Sequence, residues 1–424
     1  MFRPLKLSGT PLVVFAALAS FTTYFCMYAF RKPFAAGLYE GDFFFGLELK
    51  TAFVIFQIFG YTLSKYLGVK VCSEATGLRR SLLIVSFILI AEFALILFGL
   101  VPGHWKVLAL FLNGLPLGMV WGLVVKYLEG RKASDFLLAF LCCSFVLASG
   151  IVKDIGRWLM SSQGVPETWM PALTGAIFLP LLLVAVYALS RIPPPTEEDI
   201  ASRTQRPAMN RKERGAFFRK FLPGLVAVLL FFFLITAFRD FRDNFEVNIF
   251  ADLGFGEEEE GLLSKVAIWA AFGSLAGLAC INFIKDHRRA FLATCLLMVL
   301  GMVVLGGSTL LYKAEKIEPF TWMVLTAVGA YVAYVPLNAI FFERLMAATQ
   351  SIGTSVFMIQ LSDAIGYSGS VVLQLYKDIG QGSLSYLSFY QGFSYLMAVL
   401  GILLVLFFLI YFLGQTRSTQ PSSQ

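Results

Sequence analysis

Long apolar runs, broken by short polar segments, dominate this chain. They predict about twelve membrane-spanning helices over 11–38, 49–69, 79–101, 105–128, 134–160, 169–191, 220–251, 260–284, 289–312, 319–345, 350–376 and 385–414. A transmembrane β-barrel would instead show alternating segments of about ten residues, and none occurs. The pattern is that of an all-α polytopic membrane protein.

Composition agrees with it. The chain has 424 residues, of which 58% are hydrophobic and 14% charged, and a mean hydropathy of +0.75. A soluble domain carries about 25% charged residues. The first apolar run is too long for a signal peptide and no small-residue cleavage site follows it, so it is expected to be retained. The net charge of +7 does not indicate nucleic acid, because the cations gather in short loops and report orientation. Lys70, Arg79 and Arg80, then Lys126, Arg131 and Lys132, then Arg203 through Arg219, then Arg288 and Arg289 mark alternate loops. The loops between them carry Glu40, Asp42 and Glu48, then Glu167, then Glu257 to Glu260. Both termini are therefore expected in the cytoplasm, in a plasma (bacterial inner) membrane. The longest polar stretch opens with Ile192-Pro-Pro-Pro195, which stops a helix. It divides the chain into an N-terminal six-helix half (1–191), a cytoplasmic linker (192–219), a C-terminal six-helix half (220–414) and a tail (415–424).

The halves share short matches. Ala29-Phe30-Arg31 in the first span recurs as Ala237-Phe238-Arg239 in the seventh, and Lys153-Asp154-Ile155-Gly156 in the fifth recurs as Lys377-Asp378-Ile379-Gly380 in the eleventh. Parallel repeats of this kind place a substrate between two pseudo-symmetric halves.

Three cations lie inside predicted spans with no obvious neutralising neighbour on the same face: Arg31, Lys65 and Arg239. Unpaired in lipid they would cost roughly 8–10 kcal/mol together, so they call for partners, a cavity or an anion. Two guanidiniums suit a phosphate or carboxylate, since each presents a planar fork of donors. Tyr24, Tyr28 and Arg31 share a helical face at i, i+4 and i+7, and Tyr61 sits one turn before Lys65. Alternatively, Arg31 and Arg239 lie at helix ends and extend to the interface. Asp243, one turn from Arg239, and Glu246 are candidates for proton coupling, with Asp243 a candidate counter-ion for Arg239. Lys153, Asp154, Lys377 and Asp378 are candidate gating residues, with Lys265 a possible partner of Asp154. The sequence holds no catalytic dyad, no cofactor-binding loop and no metal-ligand spacing among its six cysteines, so no enzyme activity, cofactor or metal is expected.

Several of these residues fall into a pattern. Tyr24-x-x-x-Tyr28-x-x-Arg31-Lys32-x-Phe34 resembles the first-helix signature of the organophosphate:phosphate antiporters, a branch of the major facilitator superfamily. Tyr61-x-x-Ser64-Lys65, Gly114-x-x-x-Gly118-Met119-x-Trp121, Tyr334-x-Pro336 and Gly366-Tyr367-x-Gly369 are similar to motifs of its helices 2, 4, 10 and 11. The resemblance implies twelve helices in two pseudo-symmetric halves, with Arg31 and Arg239 on a substrate phosphate and Lys65 assisting. Tyr24, Tyr28, Tyr61, Trp121, Tyr334 and Tyr367 would line the path. It also implies exchange of a phosphorylated metabolite against inorganic phosphate. Val146 stands where that family often has a histidine, and Thr236 replaces a tyrosine.

The expected function is alternating-access transport of a small organic anion by a monomer in the lipid bilayer, with inorganic phosphate or protons as the coupling species. The alternatives are a proton-coupled carboxylate or neutral-solute carrier using Asp243 or Glu246, and a non-transporting sensor or scaffold of the same fold.

Overall fold

The computed structural model describes residues 7–41, 43–74, 77–197, 199, 211–256, 259, 261–284, 286–349 and 355–417. Of the charges that set the expected orientation, Asp42, Arg203, Arg206, Glu257, Glu258 and Glu260 lie outside the described residues, as does the tail beyond residue 417.

Long helices follow one another in the predicted order. They are α1 (Gly9–Tyr28), α2 (Leu49–Glu74), α3 (Gly77–Leu100), α4 (Lys106–Leu128), α5 (Ser134–Ser161) and α6 (Met170–Ser190). After the linker come α7 (Arg211–Asp252), α8 (Leu262–Asn282), α9 (His287–Lys313), α10 (Pro319–Pro336), α11 (Ser355–Leu375) and α12 (Tyr386–Arg417). A π-helical turn, Leu337–Phe341, carries α10 on into a short helix, Phe342–Ala348, and a second π-turn, Tyr376–Gly380, follows α11. Among the described residues, ten helices are apolar and long enough to cross a membrane. The two outside that group are α2, with Lys50, Gln57 and Lys65, and α11, with Asp363, Ser370 and Gln374. Phe43–Phe44 and Leu47–Glu48 form a small antiparallel hairpin ahead of α2.

Two segments differ from the sequence expectation. The first span, expected to run to residue 38, ends as a regular helix at Tyr28. Ala29, Phe30 and Arg31 donate to the carbonyls three residues back, and a 3-10 turn, Pro33–Ala36, follows. The cause is Pro33: its nitrogen has no proton, and its ring would clash with the carbonyl four residues earlier in a continued helix. The carbonyls thus left over find side chains. Asn113 Nδ2 donates to Phe30 O at 2.9 Å, and Gln57 Nε2 donates to Arg31 O at 2.8 Å. The second difference is α7, which begins at Arg211, inside the predicted linker, and runs for 42 residues. At 1.5 Å per residue that is about 63 Å, twice the hydrocarbon thickness of a bilayer.

The helices α2 and α4 approach closely because Gly114 and Gly118 have no side chain there. A Cβ on Gly114 would collide with the carbonyl of Gln57, and one on Gly118 with the carbonyl of Tyr61 and the side chain of Ser64. That close approach brings Gln57 to the α1 break and sets Tyr61 beside Arg31.

The chain packs as two compact units. One comprises residues 1–203, 241–268 and 371–387, and the other residues 204–240, 269–370 and 388–424. In the first unit, Arg131 Nη2 donates to Pro193 O, and Asp199 accepts from the backbone N–H groups of Lys132 and Thr196, each at 3.0 Å. Those donors hold the Asp199 carboxyl below its usual range.

Candidate functional site

Arg31 sits in the first unit, in the turn that Pro33 forces. Its guanidinium is buried, with Cζ 3.9 Å from the centroid of the Tyr61 ring and 5.7 Å from that of Tyr28. Lys65 Nζ lies 5.3 Å from the Tyr61 ring. The Tyr24 ring is 5.7 Å from Tyr28 and 4.8 Å from Trp121. The structure therefore gathers Tyr24, Tyr28, Arg31, Tyr61, Lys65 and Trp121 into one patch. An aromatic face attracts a guanidinium without neutralising it.

Arg239 sits in the second unit, within unbroken helix. Its Cζ lies 4.3 Å from the Tyr334 ring centroid, with Tyr331 and Tyr367 in electrostatic reach. Its Nη2 is 2.6 Å from Asp240 Oδ1, and Ser370 Oγ donates to Asp240 Oδ2 at 2.8 Å. The sequence missed Tyr331, one turn before the predicted Tyr334, and assigned the wrong counter-ion. Asp243 does not neutralise Arg239; Asp240 does.

Asp243 is occupied in the first unit. Its Oδ2 lies 2.5 Å from Lys32 Nζ, and its Oδ1 lies 3.1 Å from Lys153 Nζ and accepts from the Ser149 hydroxyl. Two ammonium groups and a hydroxyl thus take up its oxygens. Lys153 is fully buried and also pairs with Glu246 Oε2 at 2.6 Å, while Glu246 Oε1 takes Arg242 Nη2 at 2.6 Å. Lys32 donates besides to Asn244 Oδ1 at 2.8 Å, and Lys50 to Asn248 Oδ1 at 2.6 Å. The result is a buried cluster of Lys32, Lys153, Arg242, Asp243 and Glu246, three cations against two anions. Lys50, Asn244 and the roles of Lys32 and Arg242 escaped the sequence reading. Lys32 and Lys50 resemble ordinary span-end lysines, and their partners on α7 are about 200 residues away in the chain.

The carboxylates of the two Lys-Asp-Ile-Gly copies play matching parts. Asp154 accepts from the backbone N–H groups of Leu263 at 3.3 Å and Ser264 at 2.7 Å, and from Ser264 Oγ at 2.5 Å. It caps the start of α8 from another helix, and Lys265, the suggested partner, is not what it binds. Asp378 accepts from Glu48 N at 3.2 Å, at the start of α2. Burial pushes its carboxyl up from the usual range, with the neighbouring Lys377 and the Glu48 N–H acting in the opposite sense. Lys377 pairs with Glu48 Oε1 at 3.1 Å, and the Tyr386 hydroxyl donates to Glu48 Oε2.

The comparisons with known proteins bear on the whole chain. It belongs to a family of unknown function, DUF5690, whose model matches residues 33–415. Among curated proteins, none matches it in sequence. Solved structures do match. A bacterial homolog of the human lysosomal transporter Spinster, in an inward-facing and unoccupied conformation, is 13% identical with a TM-score of 0.62, over 98% of this chain and 100% of that one. A D-xylose–proton symporter is 14% identical with a TM-score of 0.60, over 93% and 96%. A peptide transporter POT in complex with alafosfalin is 13% identical with a TM-score of 0.62, over 96% of each chain. The shared fold is the all-α major facilitator fold.

Proposed function

We propose that this chain is a secondary transporter that carries a small organic anion, most simply a phosphorylated metabolite, by alternating access. The observation that carries the reading is a matched pair: Arg31 over Tyr61 in one unit and Arg239 over Tyr334 in the other, each among three tyrosines. Both are buried cations set against aromatic rings, Arg239 being paired with Asp240 in the conformation described, and both offer the donor fork that phosphate and carboxylate require. The motif resemblance to organophosphate:phosphate antiporters favours phosphate. Solved proteins of the same fold include a D-xylose–proton symporter and a peptide transporter, so the fold is neutral on substrate.

In this reading Arg31 and Arg239 anchor the anion, Lys65 adds charge, and Tyr24, Tyr28, Tyr61, Trp121, Tyr334 and Tyr367 shape the path. The Lys32–Lys153–Asp243–Glu246 cluster, with Asp154, Lys377 and Asp378, is a gate that breaks when the site opens to the outer side. Loop charge puts that side away from the cytoplasm, in a plasma membrane with both termini inside. One observation favours a second reading, a proton-coupled carrier. Asp240 already neutralises Arg239, so a proton on Asp240 would release the arginine for substrate.

The test is thermal stabilisation of the purified protein by inorganic phosphate, phosphate esters, carboxylates and sugars. A ligand at 100 times its dissociation constant adds about 2.7 kcal/mol of apparent stability. Stabilisation by phosphate compounds, lost in folded Arg31→Lys and Arg239→Lys proteins because lysine lacks the fork, is the expected result. Stabilisation by uncharged solutes alone would end the anion reading.

A further inference from the structure

Glu92 is the one acidic residue in the sequence of α3, eight residues before its end at Leu100. It is only 9% exposed, and its Oε2 meets no hydrogen-bond donor among the described residues. The oxygen lies against Gly175 of α6, where an added Cβ would overlap it, and the same spot touches the Phe30 ring. Its neighbours offer no counter-charge. The sequence of α6 contains no charged residue, and its titratable Tyr187 pairs with Arg191. On α4, Lys106 donates to Phe98 O, Lys126 pairs with Glu129, and the Tyr127 hydroxyl bonds Ser81. On α3 itself, Arg79 and Arg80 are twelve or more residues away, about 18 Å along the helix. From α1 come the thiol of Cys26, one turn before Phe30, and the phenols of Tyr24 and Tyr28, which turn to Trp121 and Arg31. Beyond the break, Arg31 lies over Tyr61, and Lys32 on Asp243. A carboxylate in such surroundings takes up a proton rather than keep its charge.

The site is also wired to the α1 break. Asn113 Nδ2 donates both to Phe30 O at 2.9 Å and to Ala91 O at 3.0 Å, the residue before Glu92, while Asn113 Oδ1 accepts from Gln57, which holds Arg31 O. One amide thus ties the backbone beside Glu92 to the backbone that presents Arg31.

We infer that Glu92 is a proton-binding site: it holds a proton in the conformation described and surrenders it to water when the contact between Phe30, Gly175 and α3 opens. The proton leaves Oε2 as a hydrated proton, and the carboxylate then needs water that the closed packing excludes. Motion at the α1 break and protonation are thereby linked, whichever solute the protein carries.

Infrared difference spectroscopy of the full-length protein in liposomes, stepped in pH, tests this without a substrate. The expected result is a protonated-carboxyl carbonyl band in wild type that titrates while the protein remains folded. It should be absent in Glu92→Gln and shifted in frequency in Glu92→Asp. A folded Glu92→Gln protein that keeps the wild-type band would overturn the inference, as would an Asp variant whose band does not move should the Gln variant not fold. So would a Glu92 band that never titrates across the whole folded range, which would make Glu92 a fixed structural acid. Loss of phosphate-induced stabilisation in Arg31→Lys would leave this result untouched, so the two readings fail separately.

Discussion

Lys153-Asp154 and Lys377-Asp378 begin the same tetrapeptide and end in different physical situations. The aspartates act alike, each reaching across to backbone N–H at the start of another helix, Asp154 to Leu263 and Ser264 in α8 and Asp378 to Glu48, the residue just before α2. The lysines do not. Lys153 stands in regular helix, fully buried, between two carboxylates of α7. Lys377, buried as well, stands in a π-turn between Glu48, whose side chain is 40% exposed, and its own neighbour Asp378 at 3.5 Å, under the Tyr386 ring at 4.0 Å. A repeat thus preserves what depends on backbone, the capping of a neighbouring helix, more readily than what depends on which side chains that neighbour brings. The α7 helix supplies Asp243 and Glu246; the hairpin before α2 supplies Glu48 alone.

The largest test of that contrast is stability. Lys153→Met takes the shared ammonium from Asp243 and Glu246, leaving each with one cation, Lys32 and Arg242, and is expected to cost about 1.5–3 kcal/mol. Lys377→Met removes a partner from the 40% exposed Glu48 and a longer contact, 3.5 Å, from the buried Asp378, and should cost less, about 0.5–1.5 kcal/mol. Denaturant unfolding in detergent measures both, and equal losses would break the contrast. A smaller difference is expected between the caps. Asp154→Ala and Asp378→Ala each remove the acceptor from a helix start, a loss of about 0.5–2 kcal/mol per cap. Asp154 stands at the upper end, since it accepts from two backbone N–H groups and a hydroxyl and Asp378 from one N–H. A greater loss at Asp378 would reverse the ranking.

The smallest effect separates carboxylates by pH. Asp378 has a raised folded value and Asp199 a depressed one. A raised group takes its proton in the fold above its unfolded value, near 4, so the ionised form of Asp378 is lost early as pH falls. A depressed group contributes stability above its unfolded value and loses it only as pH drops through the lower folded value. As pH falls, the stability difference between wild type and Asp378→Asn should therefore widen, because a raised group gains stability on taking its proton, while that between wild type and Asp199→Asn should shrink. Thermal unfolding across acidic pH gives the two signs, and a difference at Asp378 that shrinks with falling pH would place Asp378 in water.

The helices were legible because a bilayer demands long apolar runs, and their order follows from chain order alone. Arg31, Tyr24 and Tyr28 were legible as one face because helical spacing puts them there, and Arg239 because Ala-Phe-Arg repeats. The end of α1 was missed because Pro33 lies inside an otherwise apolar run, where hydropathy does not register it. The partners of Asp243 were missed because spacing along α7 points to Arg239, while Lys32 and Lys153 arrive from the end of α1 and from α5 by packing that no local pattern encodes. Glu92 passed unnoticed for the opposite reason: a single carboxylate in a span offers no pattern at all.

The broken end of α1 has a consequence for how relatives of this chain should vary. Pro33 creates the unpaired carbonyls of Phe30 and Arg31, and Gln57 and Asn113, on two other helices, take them up. The three work together: Pro33 alone would strand buried acceptors, and the two amides, which also bond each other and Ala91 O, would each lose a partner beside an intact helix. Pro33, Gln57 and Asn113 are therefore expected to be inherited as a set, retained together or replaced together. A lineage that restores a continuous first helix should show apolar residues at both amide positions.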